Sequence, residues 1–109
     1  MIEHFSTETA YYFDTEPYSR ILSLIGEGRE HATHKADLLR FVEMSDRELR
    51  RTIEHLRRQG VVIISDDNGY YFPADEAGLQ AYIAREERRA KSVFYTLKSA
   101  RQLLKAVYE

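Results

Sequence analysis

No cysteine occurs anywhere in the chain. Neither a disulfide framework nor a thiolate metal site is therefore available, and the composition suits a reducing compartment. No run approaches the roughly 18 consecutive apolar residues that a membrane span requires, so no membrane partner is expected. The opening Met1-Ile2-Glu3-His4-Phe5 does not read as a signal peptide, which points to a soluble, cytoplasmic protein. There is no glycine-rich phosphate loop and no nucleophile with a matching base, so neither enzymatic activity nor a catalytic residue is expected. His31 and His34 lie three apart and could in principle share a metal. No third ligand accompanies them and one is a candidate helix cap, so neither a metal nor another cofactor is expected. His55 reads as a helix-surface residue rather than a base.

A strong charge of either sign is also missing, since the net charge is −2 over 109 residues. That length fits one domain with a modest core and an appended element. The near-neutral sum hides a division. Residues 1–30 carry two basic and six acidic side chains, 31–60 seven and five, 61–76 none and four, and 77–109 seven and three. The basic excess is confined to the middle and the C-terminal segment. Local sign steers a charged ligand more than the sum does, so a polyanion would be met there, with modest affinity and clear salt sensitivity.

What is present is organised around Ser45 to Gly60. Ser45 suits an N-cap, and Glu48, three residues on, suits the reciprocal half of a capping box. Leu49, Ile53 and Leu56 follow at i, i+4 and i+7 and predict one buried stripe. Arg47, Arg50, Arg51, Glu54, Arg57 and Arg58 fall on the remaining surface, and Gly60 supplies the left-handed residue that ends the helix. Five arginines on an open helical face suit a helix that reads a duplex. They equally suit a solvated face with internal ion pairs such as Glu54 with Arg57 or Arg58.

Ahead of that helix, residues 1–15 form an arm bearing Phe5, Tyr11, Tyr12 and Phe13, with a candidate short strand near Ala10 to Phe13. So much aromatic area predicts that the arm packs on its own domain or on a partner subunit. Thr15-Glu16-Pro17 predicts a helix start, Tyr18, Ile21, Leu22 and Ile25 its buried stripe, and Gly26-Glu27-Gly28 its stop. Thr33 or His34 caps a second helix whose buried face is Leu38, Phe41 and Val42. Two short helices joined by a tight turn, the second basic, make a helix-turn-helix.

Beyond Gly60 the period shortens. Val61-Val62-Ile63-Ile64-Ser65 and Tyr70-Tyr71-Phe72-Pro73 flank Asp66-Asp67-Asn68-Gly69, and Asn-Gly there predicts a hairpin on a type I′ turn. Residues 75–109 predict one long helix. Leu79, Ile83, Glu86, Ala90, Val93, Leu97, Ala100, Leu104 and Val107 alternate steps of four and three, a coiled-coil seam over about four heptads. Self-association of that seam is expected, and a helix folding back on its own domain is the competing reading. Glu86 interrupts the seam, so the proximal half could dock on the domain while the distal half pairs.

With the elements placed, residues 18–73 resemble a winged helix-turn-helix DNA-binding domain, of the kind found at the N-terminus of biotin repressors and in small phage-encoded regulatory and replication proteins. The resemblance is carried by Met44-Ser45-Asp46-Arg47-Glu48-Leu49-Arg50-Arg51 with Ile53, by Leu56-Arg57-Arg58-Gln59-Gly60 leading to Val61, and by Gly69-Tyr70-Tyr71 at the wing. It implies a mainly α fold with a small β-hairpin, an α+β class. The arm would then span 1–15, the winged domain 16–74 and the dimerising C-terminal helix 75–109. It also implies DNA contact from Arg47, Arg50 and Arg51, and phosphate contact near Thr33, His34 and Lys35. Two departures stand out. Glu43 occupies a turn position that often holds glycine, and the wing tip is acidic at Asp66-Asp67. Either the wing offers a backbone phosphate only Asn68 and the Gly69 N–H, or the domain meets something other than a duplex.

The expected function is sequence-specific binding of double-stranded DNA by a homodimer, as a small regulator or a phage or mobile-element DNA-transaction factor. Arg50 and Arg51 would reach base edges or flanking phosphates, and Arg47, with Ser45 and the helix N-terminus, a phosphate. The dimer would form through Ala90, Val93, Phe94, Leu97, Ala100, Leu104 and Val107. The alternative is a winged-helix protein-interaction module or accessory subunit that binds a larger protein partner and makes no DNA contact.

Overall fold

The computed structural model describes residues 7–108, with side chains from Tyr11 onward. Phe5 and the rest of the first six residues of the arm lie outside the described residues, as does Glu109. Two compact units divide the chain between Asp75 and Glu76.

In the first unit the order is α1 (Thr7–Asp14), α2 (Tyr18–Leu24), β1 (Gly26–Glu27), a 3-10 turn (Arg29–His31), α3 (Lys35–Phe41), α4 (Asp46–Arg58), β2 (Ile64–Asp66) and β3 (Gly69–Phe72). Ile21, Leu22 and Ile25 from α2 and its end meet Leu38, Val42, the α4 stripe of Leu49, Ile53 and Leu56, and then Val61 and Ile63. All are buried, and each aliphatic side chain removed from water contributes about 1.5–3 kcal/mol before entropy is charged against it. The sheet runs β1-β3-β2, with β3 parallel to β1 and antiparallel to β2. The protein is thus mainly helical with a small three-stranded sheet, an α+β class.

Several expectations are corrected. The candidate strand near Ala10 to Phe13 is helical, within α1. Tyr12 and Phe13 pack against the core, and Tyr12 meets Tyr18 edge-on at 4.9 Å between ring centroids. Burial of one aromatic face is as compatible with a helix as with a strand, and this tertiary contact decides. Gly26-Glu27 does more than stop α2, because the pair forms β1. Phe41 is 58% exposed rather than buried, leaving Leu38 and Val42 to anchor α3.

The hairpin also closes differently. Asp66 pairs with Gly69, so the two turn residues are Asp67 and Asn68, and among the described residues none other than glycine has positive φ. A type I′ turn needs positive φ at both central positions and is excluded. Asp66 Oδ1 instead accepts the Asn68 N–H at 2.7 Å, and Gly69 takes φ 117° one position later. A Cβ on Gly69 would stand 2.4 Å from the Thr33 carbonyl oxygen, so glycine here serves a close backbone approach as well as a bend.

The second unit holds α5 (Glu76–Thr96) and α6 (Lys98–Tyr108), not one uninterrupted helix. At Leu97 the N–H turns to Phe94 O at 3.1 Å, three residues back instead of four. Thr96 Oγ1 donates to Ser92 O at 3.0 Å, and the Arg101 guanidinium lies 4.2 Å from the Phe94 ring centroid. Side-chain donors to the backbone and a tightened turn are known ways to interrupt a helical ladder. Neither helix has a buried residue among those described.

Candidate nucleic-acid interface

Both ends of α4 are fixed. At its start Ser45 Oγ accepts the Glu48 N–H at 3.1 Å while Glu48 Oε1 accepts the Ser45 N–H at 3.2 Å, the full reciprocal cap. At its end Gly60, at φ 101°, donates to Arg57 O at 3.2 Å and Val61 to Leu56 O at 3.0 Å. That pair of bonds is a Schellman closure, which ties the helix directly to the chain entering β2. Leu49, Ile53 and Leu56 are 0–1% exposed, so the opposite face of the helix is held outward by the core itself.

The outward arginines divide into three kinds. Arg57 is folded inward: its Nε donates to Ile63 O at 2.8 Å and its Nη2 to Ser65 Oγ at 3.1 Å. It belongs to the scaffold rather than to the open surface on which its spacing placed it. Arg50 and Arg58 are exposed but face carboxylates, at 3.5 Å to Asp46 and 3.7 Å to Glu54. Such i,i+4 pairs contribute only about 0.3–0.5 kcal/mol, so neither cation is locked to its own helix. Arg47 and Arg51, exposed and one helical turn apart, have no carboxylate partner among the described residues.

Lys35, at the start of α3, joins this end of α4 through Asp46, with Nζ 2.9 Å from Oδ1. The contact is ionic, since it lacks the geometry of a directed hydrogen bond. His34 stands exposed at the α3 N-cap position without a side-chain capping bond. Asp46 thus brings together Lys35 of α3 and Arg50 of α4, with Arg47 and Arg51 exposed on the first two turns of the same helix, and Ser45 serves its own helix. Thr33 is otherwise engaged: its hydroxyl donates to Leu24 O at 2.7 Å, and its backbone exchanges two 2.9 Å hydrogen bonds with Tyr70. It is a sheet-anchoring residue.

At the hairpin, Asp66 is not the free acid that its position implies. Its side chain is 14% exposed, Arg29 Nε lies 3.1 Å from Oδ2, and the Tyr71 hydroxyl donates to Oδ2 at 2.9 Å. Asp67 and Asn68 are exposed at the tip, while Gly69 lies in β3. His55 proves less isolated than its spacing implies. Its ring stands 5.6 Å from Tyr12 and 5.9 Å from Tyr18, and its Nε2 is 3.3 Å from the Tyr12 hydroxyl. The aromatic content of the arm was the only signal for this, and it gave no address.

In the second unit the seam residues Val93, Leu97, Leu104 and Val107, with Phe94 beside them, are 45–64% exposed, and the seam residues Ala90 and Ala100 are exposed too. No group of three or more histidine or acidic side chains among the described residues could hold a metal. No described helix is long and apolar enough to cross a membrane. Comparison of the chain with models of protein families, with curated proteins and with solved structures finds no match.

Proposed function

We propose that the chain binds double-stranded DNA sequence-specifically, that its first unit is a winged helix, and that α4 is the reading helix. The order from α2 of helix, helix, capped basic helix and hairpin supports this reading. The observation that carries it is the state of α4: locked at both ends, anchored by three buried aliphatic residues, and presenting Arg47 and Arg51, which have no carboxylate partner among the described residues, with Arg50 beside them. A guanidinium placed in two-point contact with guanine discriminates against other bases by about 1–3 kcal/mol. Arg51 takes that part, while Arg47, Arg50, Lys35 and His34 hold phosphates. The engagement of Asp66 by Arg29 leaves Asp67 as the exposed acid of the tip, so the hairpin opposes a phosphate backbone less than its composition implies.

Two copies joined through the exposed seam of α5 and α6 would present two such helices to adjacent half-sites, as a small regulator or a phage or mobile-element factor requires. The test is a fluorescence-anisotropy titration of the full chain against mixed genomic duplexes over a range of salt. With about four phosphates touched by each copy, the log–log slope is about −7. A slope near zero, or no binding at low salt, overturns the reading.

The second reading, a protein-interaction module or accessory subunit, is favoured by the pairing of Arg50, Arg57 and Arg58 with the chain's own carboxylates. A pull-down that recovers a stoichiometric protein partner, together with a silent DNA titration, would establish it.

A further inference from the structure

One carboxylate stands among the cations assigned to the duplex. Asp46 is the first residue of α4; its Oδ1 lies 2.9 Å from Lys35 Nζ and its Oδ2 3.5 Å from Arg50 Nη2. Oδ1 is closed off from solvent, while Lys35 and Arg50 are 52% and 67% exposed. The Asp46 side chain is itself 42% exposed, and each cation has room to leave it. Lys35 belongs to α3 and Arg50 to α4, so the same carboxylate links the starts of both helices.

We propose that Asp46 is an internal competitor for DNA phosphate, which holds Lys35 and Arg50 when no duplex is bound and sets how strongly the surface binds DNA of any sequence. The inference rests on the DNA-binding reading and adds a residue that tunes it. A phosphate approaching Lys35 and Arg50 must first displace the carboxylate and then sit near its uncompensated charge. That penalty is the same for every sequence, whereas a base contact by Arg51 is made only on the right one. Asp46 therefore lowers the affinity for every duplex by the same factor, and discrimination among sequences is left to the base contacts. Released from its partners, the carboxylate also takes up a cation, which offsets one of the counterions freed from the DNA.

The test is Asp46→Asn in the full chain, titrated against a non-specific duplex beside the wild type and Asp37→Asn. Asp37 is a matching control because it is an exposed acid of α3, 3.7 Å from Arg40 and unconnected to Lys35 or Arg50. Asp46→Asn is expected to tighten non-specific binding by about three- to tenfold, the effect of a unit charge several ångströms from a phosphate, and to steepen the salt slope by about one. Asp37→Asn is expected to change neither by as much. Asp46→Ser, which also suits the first turn of a helix, must reproduce the gain, and thermal melts establish that each variant is folded. Equal or weaker binding by both Asp46 variants, with the wild type binding, overturns this inference alone. Absence of binding by every protein at low salt overturns the DNA-binding reading along with it.

Discussion

Arg57 reaches across the loop that leaves α4 and donates its Nε hydrogen to the carbonyl oxygen of Ile63 at 2.8 Å. With the Ser65 hydroxyl also in its grasp and 23% of its side chain exposed, it fastens the end of the basic helix to the start of β2. A charged donor satisfying a part-buried carbonyl contributes about 1.5–3 kcal/mol, against near zero for an exposed ion pair. Arg57→Ala is therefore expected to lower unfolding stability by about 1–3 kcal/mol, and Arg58→Ala, whose contact is an exposed i,i+4 pair, by less than about 0.5 kcal/mol. Urea melts of the two variants check the order. Equal losses would mean that Arg57 is only another surface cation.

Arg47 and Arg51 make the opposite case, because neither touches the core stripe of Leu49, Ile53 and Leu56. The double change to Ala is expected to abolish duplex binding and leave the urea midpoint within the scatter of a surface substitution. Loss of the folded state would show that the facing of α4 is wrong. Retained binding would move the interface elsewhere.

Gly69 has two independent reasons to resist substitution: φ of 117° and the Thr33 carbonyl 2.4 Å from where a Cβ would stand. Gly69→Ala is expected to cost more than about 1 kcal/mol, since both the backbone region and the space are wrong for a side chain. Asn68→Ala, which keeps the backbone N–H that Asp66 accepts, is expected to be near neutral. Comparing the two melts separates the strand-crossing role of Gly69 from a simple turn preference.

The chain ending after Arg89 lacks Val93, Phe94, Leu97, Leu104 and Val107, five of the bare apolar positions of the second unit, and keeps Ile83. Light scattering is expected to give a dimer mass for the full chain and a monomer mass for the shortened one. A monomeric full chain would remove the two-half-site arrangement and leave single-site recognition by α4.

How much of this could be read in advance depends on the range of the cause. The cap at Ser45 and Glu48, the stripe of α4 and the closure at Gly60 are governed by residues within one or two turns, and the structure has them as the spacing predicts. β1 escaped because two residues, one of them glycine, carry no alternation of their own; the pairing with Tyr71 and Phe72 defines them. The α1 segment offered aromatics without a period, and Tyr12 packs on the nearby Tyr18 and on His55 far along the chain, a contact that local spacing does not reveal. At the candidate site, Arg47, Arg50, Arg51 and Lys35 are exposed, as their spacing predicts. Thr33 was lost to the sheet, and Arg57 to a carbonyl that helical spacing alone could not locate.

Because Asp66 faces inward to Arg29 and Tyr71, and Gly69 is fixed by Thr33, the scaffold's demands stop just short of the two residues between them. Asp67 and Asn68 stand exposed at the hairpin tip. Substitution at that pair leaves the hydrophobic interior undisturbed, so the tip can be rewritten without rewriting the scaffold. A randomised library at positions 67 and 68 would be the natural place to begin re-engineering the molecule.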